Sequence, residues 1–204
     1  MKELIFSTLL MLGMLKHAAS QNPTTLQIRE ERFKKQETKM VYPMFNAGVL
    51  SGVFPVENAT YKPDPSKEVK LMFDFSQATS PGNQATKLNE GLAEVARVLN
   101  LHVAAGTPKE KIKAIVVFHA GSISTLLNDS FHQKLFQQPN PNESLLRQLN
   151  AAGISLIVCG QSLQLRDQPA SNLLPFIQVA FSAKTTFTQY LGKGYNAYAI
   201  DGNY

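Results

Sequence analysis

Gly153-Ile154-Ser155-Leu156-Ile157-Val158-Cys159-Gly160-Gln161-Ser162 reads as a buried strand that ends at a cysteine. Its apolar run is continuous and rich in β-branched residues, as expected of a strand buried on both faces of a parallel sheet. Gly160 breaks the run just after the thiol. Immediately upstream, Glu143 to Ala152 reads as a helix, closed by Gly153 at the C′ position where a left-handed residue commonly ends a helix.

Working outward, the same alternation recurs. Val69 to Phe75 reads as a strand, followed by a helix over Gln84 to Leu101 with Leu88, Leu92, Val95, Ala96 and Leu99 at helical spacing. Ala114 to Phe118 is a second strand, with a helical stretch Ile123–Leu127 soon after it. Past Cys159 come a short turn or helix, a strand over Phe176 to Phe181, a helix over Ala183 to Leu191 ending at Gly192, and a last short strand, Ala197 to Ile200. Strands alternating with helices imply a three-layer α/β/α domain with an about five-stranded, mainly parallel sheet and right-handed crossovers.

The segment ahead of this domain divides in two. Residues 1–20 read as a secretory signal peptide: Lys2 at the start, an apolar run from Leu4 to Leu15, and the small residues Ala18-Ala19-Ser20 before Gln21. The run is too short for an ordinary membrane-spanning helix. The mature protein is therefore expected in the periplasm or secreted, with no membrane span. Residues 21–68 read as an N-terminal arm packing on the 69–204 domain, with a short helix around 25–38 and a small hairpin around 48–56; Pro23, Pro43, Pro55, Pro63 and Pro65 punctuate it. Asn58-Ala59-Thr60 and Asn142-Glu143-Ser144 both fit the short N-glycosylation pattern.

Composition narrows the function. The chain has a single cysteine, so no intramolecular disulfide supports the fold. The net charge of +5 is partly local, because Arg29, Arg32, Lys34, Lys35 and Lys39 lie close together. Glu30, Glu31 and Glu37 interleave with them, which makes a solvated mixed-charge face rather than a basic track. There is no Trp and no aromatic interleaving, so a nucleic-acid partner is not expected. His102, His119 and His132 show no metal-ligand spacing, and no P-loop or dinucleotide glycine fingerprint is present. Gly121-Ser122-Ile123-Ser124 is not a nucleophile elbow, and Ser122 or Ser162 as a hydrolase nucleophile lacks a recognisable base or oxyanion hole.

What remains is a set of polar groups just beyond predicted strand ends: Asp74 and Ser76, His119, Cys159 with Gln161 and Ser162, and Ser182. In a parallel sheet these ends share one rim, where ligands and catalytic groups collect. Cys159 is either a reactive thiol ahead of a helix N-terminus or a packed apolar residue, and position alone leaves both open. His119 is either a general base or anion ligand, or a histidine that holds its loop.

The stretch Leu149 to Gln161, LNAAGISLIVCGQ, resembles the cysteine-bearing strand of the DsrE/DsrF-like sulfur-relay family, closest to its exported single-domain branch. The resemblance extends over Val69 to Ile200 through Asn89-Glu90-Gly91-Leu92, Lys113 to Gly121, Leu126-Leu127-Asn128-Asp129 and Gly194-Tyr195. It implies a flavodoxin-like, DsrE-type fold that assembles as a homo-oligomer, a trimer or hexamer. It also implies that Cys159 carries sulfur as a persulfide, taken from a protein donor or passed to an acceptor, with no organic cofactor and no metal. His119 and Gln161 are then the expected polar neighbours of Cys159. Relay members carry an Arg-Gly pair soon after the cysteine, whereas this chain has Leu165-Arg166-Asp167. The alternative is a non-enzymatic oligomeric module that binds a small ligand or serves assembly, with Cys159 buried.

Overall fold

The computed structural model describes residues 25–79, 82–83 and 85–202 of the 204-residue chain. The leader expected over 1–20 lies outside the described residues. Five strands, β1 (Val69–Phe75), β2 (Ile112–Phe118), β3 (Ser155–Cys159), β4 (Gln178–Ala180) and β5 (Asn196–Ile200), form one sheet in the order β4-β3-β2-β1-β5. Every pairing is parallel. The chain builds outward from β1 to β4, then crosses back to lay β5 against the other side of β1. All five carboxyl ends therefore lie on one rim.

The helices follow from the alternation of the strands. Leu71, Phe73, Phe75, Ala114, Val116, Phe118, Leu156 and Val158 point to one face. There they meet Leu92, Val95, Ala96 and Leu99 of α2 (Glu90–Ala104) and Leu145, Leu146 and Leu149 of α4 (Glu143–Ala151). Met72, Ile115, Val117, Ile157 and Cys159 point to the other face, covered by Ala183, Phe187 and Tyr190 of α6 (Ala183–Gly192). This is the expected α/β/α sandwich, with one face far more heavily covered than the other.

The arm is fastened by one residue. Asn100 of α2 is fully buried, and its Oδ1 accepts from the N–H groups of Met44 and Phe45, both at 2.9 Å. Its Nδ2 donates to the carbonyls of Phe45 (2.7 Å) and Ser51 (2.9 Å). A loop laid on a helix has main-chain groups to satisfy, and this one amide satisfies four of them. Arg29 of α1 (Thr25–Lys34) adds an ion pair to Glu94 at 2.6 Å.

Several details differ from the sequence reading. The hairpin expected around 48–56 does not form. A 3-10 turn, Val49–Ser51, and a single antiparallel bridge, Val41 to Val53, stand there: Ser51 N–H and Gly52 N–H turn back to the Gly48 and Val49 carbonyls, and the Ser51 carbonyl accepts from Asn100 Nδ2. Helix α2 starts at Glu90 rather than near residue 84, because Asn89 caps it by accepting from Gly91 N–H at 2.8 Å. Strand β4 is three residues long, shorter than the 176–181 expected. A helix absent from the sequence reading, α3 (Asp129–Phe136), follows Asn128, whose side chain caps Phe131 N–H at 2.9 Å. The Asn142 motif is occupied by the fold: Asn142 is 2% exposed, donates to Asn140 Oδ1 and accepts from Asn89 N–H. Asn58, by contrast, is exposed in a turn.

Candidate functional site

Strand register brings the rim residues together. Phe75 pairs with Phe118 and Phe118 with Val158, so the next positions along β2 and β3 are His119 and Cys159. Two-residue alternation puts Asp74 on the face of Met72, His119 on that of Val117, and Cys159 on that of Ile157. Asp74, His119 and Cys159 therefore line up on the thinly covered face, on three adjacent strands. The main-chain N–H of His119 donates to the Phe75 carbonyl at 2.9 Å and carries the β1–β2 ladder one residue further.

His119 Nε2 lies 2.6 Å from Asp74 Oδ1, and both side chains are part-exposed. An imidazole N–H donating to a carboxylate fixes the ring and leaves Nδ1 as its free nitrogen. The ring also meets Phe187 of α6 edge to face, with centroids 5.9 Å apart. Phe187 packs against the cluster that contains Cys159, so His119 and the thiol share that wall.

Cys159 ends β3 and is the N-cap of the short helix α5 (Gly160–Gln164). The residue is 5% exposed. Burial pushes its thiol up, but hydrogen bonds from the Ser162 hydroxyl and the main-chain N–H groups of Ala183, Ser162 and Gln161 outweigh burial. The thiol therefore sits below its ordinary value of 9.0. These groups belong to the first turns of α5 and α6. Ser162 Oγ also accepts from Ala120 N–H at 3.2 Å.

Two backbone positions hold this arrangement. Ala120 adopts φ of +50°, a left-handed conformation that costs an L-residue about 1 kcal/mol, and its N–H is the one directed at Ser162. At Gly160 a Cβ would stand 2.7 Å from the Ala180 carbonyl oxygen, so only glycine lets β4 approach the end of β3.

Each residue singled out from the sequence has a definite place. Gln161 supplies its main-chain N–H to the sulfur, while its side-chain amide turns to the Phe181 carbonyl at 3.4 Å. His119 is bonded to a carboxylate rather than to a loop carbonyl. Ser122 is fully buried, and its hydroxyl bonds the carbonyls of Phe75 and His119, which leaves it a rim fastener rather than a nucleophile. Ser182 caps α6 by accepting from Thr185 N–H. The Ser162 hydroxyl and the Ala183 N–H were not legible as sulfur donors. The pairing of Asp74 with His119 was hidden too, although the shared parity of Asp74 with Met72 was a usable signal. Asp167, where the Arg-Gly pattern has glycine, takes φ of +46° and so keeps the glycine-like backbone with a different side chain.

Among the described residues no three His, Cys, Asp or Glu side chains are grouped closely enough to hold a metal ion. No described helix is long and apolar enough to cross a membrane.

The site is thus a buried thiol and a His119–Asp74 pair at the rim of an all-parallel α/β sheet. The sequence profile of the DsrE/DsrF-like family matches residues 70–197, well over half the chain, and the chain belongs to that family. Among solved structures, it is similar to the protein of unknown function MTH1491 from Methanobacterium thermoautotrophicum. Identity is 14%, the match covers 65% of this chain and 99% of that one, and the TM-score is 0.48. No functionally curated protein matches the chain.

Proposed function

We propose that this protein is an exported sulfur carrier in which Cys159 holds a sulfane sulfur as a persulfide. Membership of the DsrE/DsrF-like family supports sulfur relay at the family level. The observation that carries the reading to this chain is the place of Cys159: it ends a central strand at the rim, on the face that also carries Asp74 and His119, and its thiol sits below the ordinary value. The thiolate attacks the outer sulfur of a persulfide R–S–SH. The new Cys159–sulfur bond forms, the old S–S bond breaks, and RSH departs after taking up a proton. No oxidant is consumed, and the sulfur rides on the protein without an organic cofactor.

The leader over residues 1–20 supports export to the periplasm or beyond. The resemblance implies assembly as a trimer or hexamer, and apolar groups left open beside α6 suit contact with further copies: Val179 is 52% and Phe181 78% exposed. A groove of about 400 Å³ lies there, lined by Ala180, Phe181, Thr185, Thr186, Thr188 and Gln189.

The second reading is an oligomeric ligand-binding or assembly module with Cys159 packed, and the 5% exposure of Cys159 favours it. Intact-mass spectrometry of the folded protein after incubation with glutathione persulfide separates the two. A gain of one sulfur atom, reversed by reductant and absent from Cys159→Ser, supports the carrier. Labelling only after denaturation supports the packed cysteine.

A further inference from the structure

We propose that His119, held by Asp74, is the proton donor to the thiol that departs when Cys159 takes up sulfur. This rests on the carrier reading above and adds a second working group to it.

Three observations place the pair where the step occurs. Parallel register makes His119 and Cys159 neighbours on adjacent strands, with side chains on the same face. Phe187 packs on both the imidazole and the thiol's cluster. The next residue, Ala120, reaches across to the Ser162 hydroxyl, three residues past Cys159, with its N–H at 3.2 Å. The 2.6 Å bond from Nε2 to Asp74 Oδ1 fixes which ring nitrogen is available. Nε2 is committed to the carboxylate, and Nδ1 is the atom that exchanges a proton.

The sulfur itself does not need this pair. Main-chain N–H groups and the Ser162 hydroxyl already favour the thiolate, so a general base would be redundant there. The step that still lacks a partner is the departure of RS⁻. As the S–S bond of R–S–SH breaks, its electron pair goes to the inner sulfur, which takes the proton from Nδ1–H of the His119 imidazolium and leaves as RSH. Solvent then returns a proton to Nδ1. Asp74 Oδ1 holds the ring through Nε2 throughout. His119 is thus the catalytic residue of the pair and Asp74 the positioning one.

The test compares reagents whose leaving groups differ in their need for a proton. Cys159 is reacted with glutathione persulfide, which releases a basic alkyl thiol. It is also reacted with Ellman's disulfide, which releases a stabilised aryl thiolate, and with iodoacetamide, which releases no thiol. His119→Asn is expected to slow sulfur uptake from glutathione persulfide about 10²-fold, and Asp74→Asn about tenfold. Both variants are expected to leave the other two rates within about twofold of the parent, because those reactions need no proton donor. His119→Gln serves as a second variant should His119→Asn fail to fold. Slowing of all three reagents alike would overturn the proposal, since it would mean a disturbed thiolate rather than a missing acid. Unchanged persulfide uptake would overturn it and leave the carrier reading standing. If the parent reacts with iodoacetamide but takes no sulfur, the carrier reading fails and the acid role falls with it.

Discussion

The two faces of the sheet are built from the same strands and serve different ends. On one, 24 of the described residues, from the strands, α2, α4, the arm and the loops and short helices between them, form a single buried cluster. On the other, the buried cluster has six, five from the strands and Ala183 of the covering helix α6. Alternation sends Phe73, Phe75 and Phe118 to the first face and Asp74, His119 and Cys159 to the second. The thick face holds the fold together. The thin face, one helix deep, lets a polar rim sit near solvent without exposing the main core.

Substitutions on the two faces should differ in size. Phe118→Ala on the thick face is expected to cost about 4 kcal/mol in chemical denaturation, through lost burial and an unfilled cavity. Met72→Ala on the thin face should cost about 2.5 kcal/mol, because α6 can settle onto the gap. Equal losses would break the comparison. A Met72→Ala loss that shrinks as protein concentration rises would sharpen it, by showing that a second copy completes the cover.

The arm belongs energetically to the thick face. Asn100→Ala leaves two N–H groups and two carbonyls without their partner, and about 2 to 3 kcal/mol of stability should be lost. Hydrogen exchange is expected to show lost protection first at Met44 and Phe45. Loss confined to the strands, with the arm still protected, would contradict the clamp.

A smaller effect is expected from Cys159 and should depend on pH. Its folded value lies below the ordinary 9.0, so the ionised form is favoured in the fold. For a group shifted this way, the stabilisation is complete above the unfolded value and is lost as pH falls through the folded one. The parent should therefore gain stability over Cys159→Ser as pH rises through the folded value toward 9.0 and stop gaining above it. A flat difference across that window would mean the donors do not act on the thiolate.

The smallest effect concerns the rim backbone. Ala120→Gly removes a left-handed alanine and should stabilise the protein by about 0.5 kcal/mol once the extra freedom of glycine in the unfolded chain is counted. Thermal unfolding would register this as a small rise in Tm, and a fall would mean that φ of +50° carries no strain.

Much of this architecture is legible from local pattern. Val69–Phe75 was readable to the residue, and the helix ahead of Gly153 ended within one residue of expectation, because runs of apolar groups report burial directly. The eight-residue α3 escaped because its cap, Asn128, announces itself only once the turn before it is known. The arm's hairpin gives way to a local 3-10 turn whose Ser51 carbonyl is taken by Asn100 from a distant helix, a partner invisible at the level of neighbouring residues.

By itself the sequence determined the alternation of strand and helix, the parallel sheet this requires, and a lone cysteine at a strand's end followed by the glycine that lets β4 approach. Those are consequences of periodicity and of backbone sterics, which act over a few residues. Tertiary structure alone decided that Asp74 meets His119, that Ser162 and Ala183 direct their donors at the sulfur, and that Asn142 is sealed inside the fold. These depend on register between strands and on where a crossover helix begins. Contacts across tens of residues are set by the packing of the whole domain, and no local pattern encodes them.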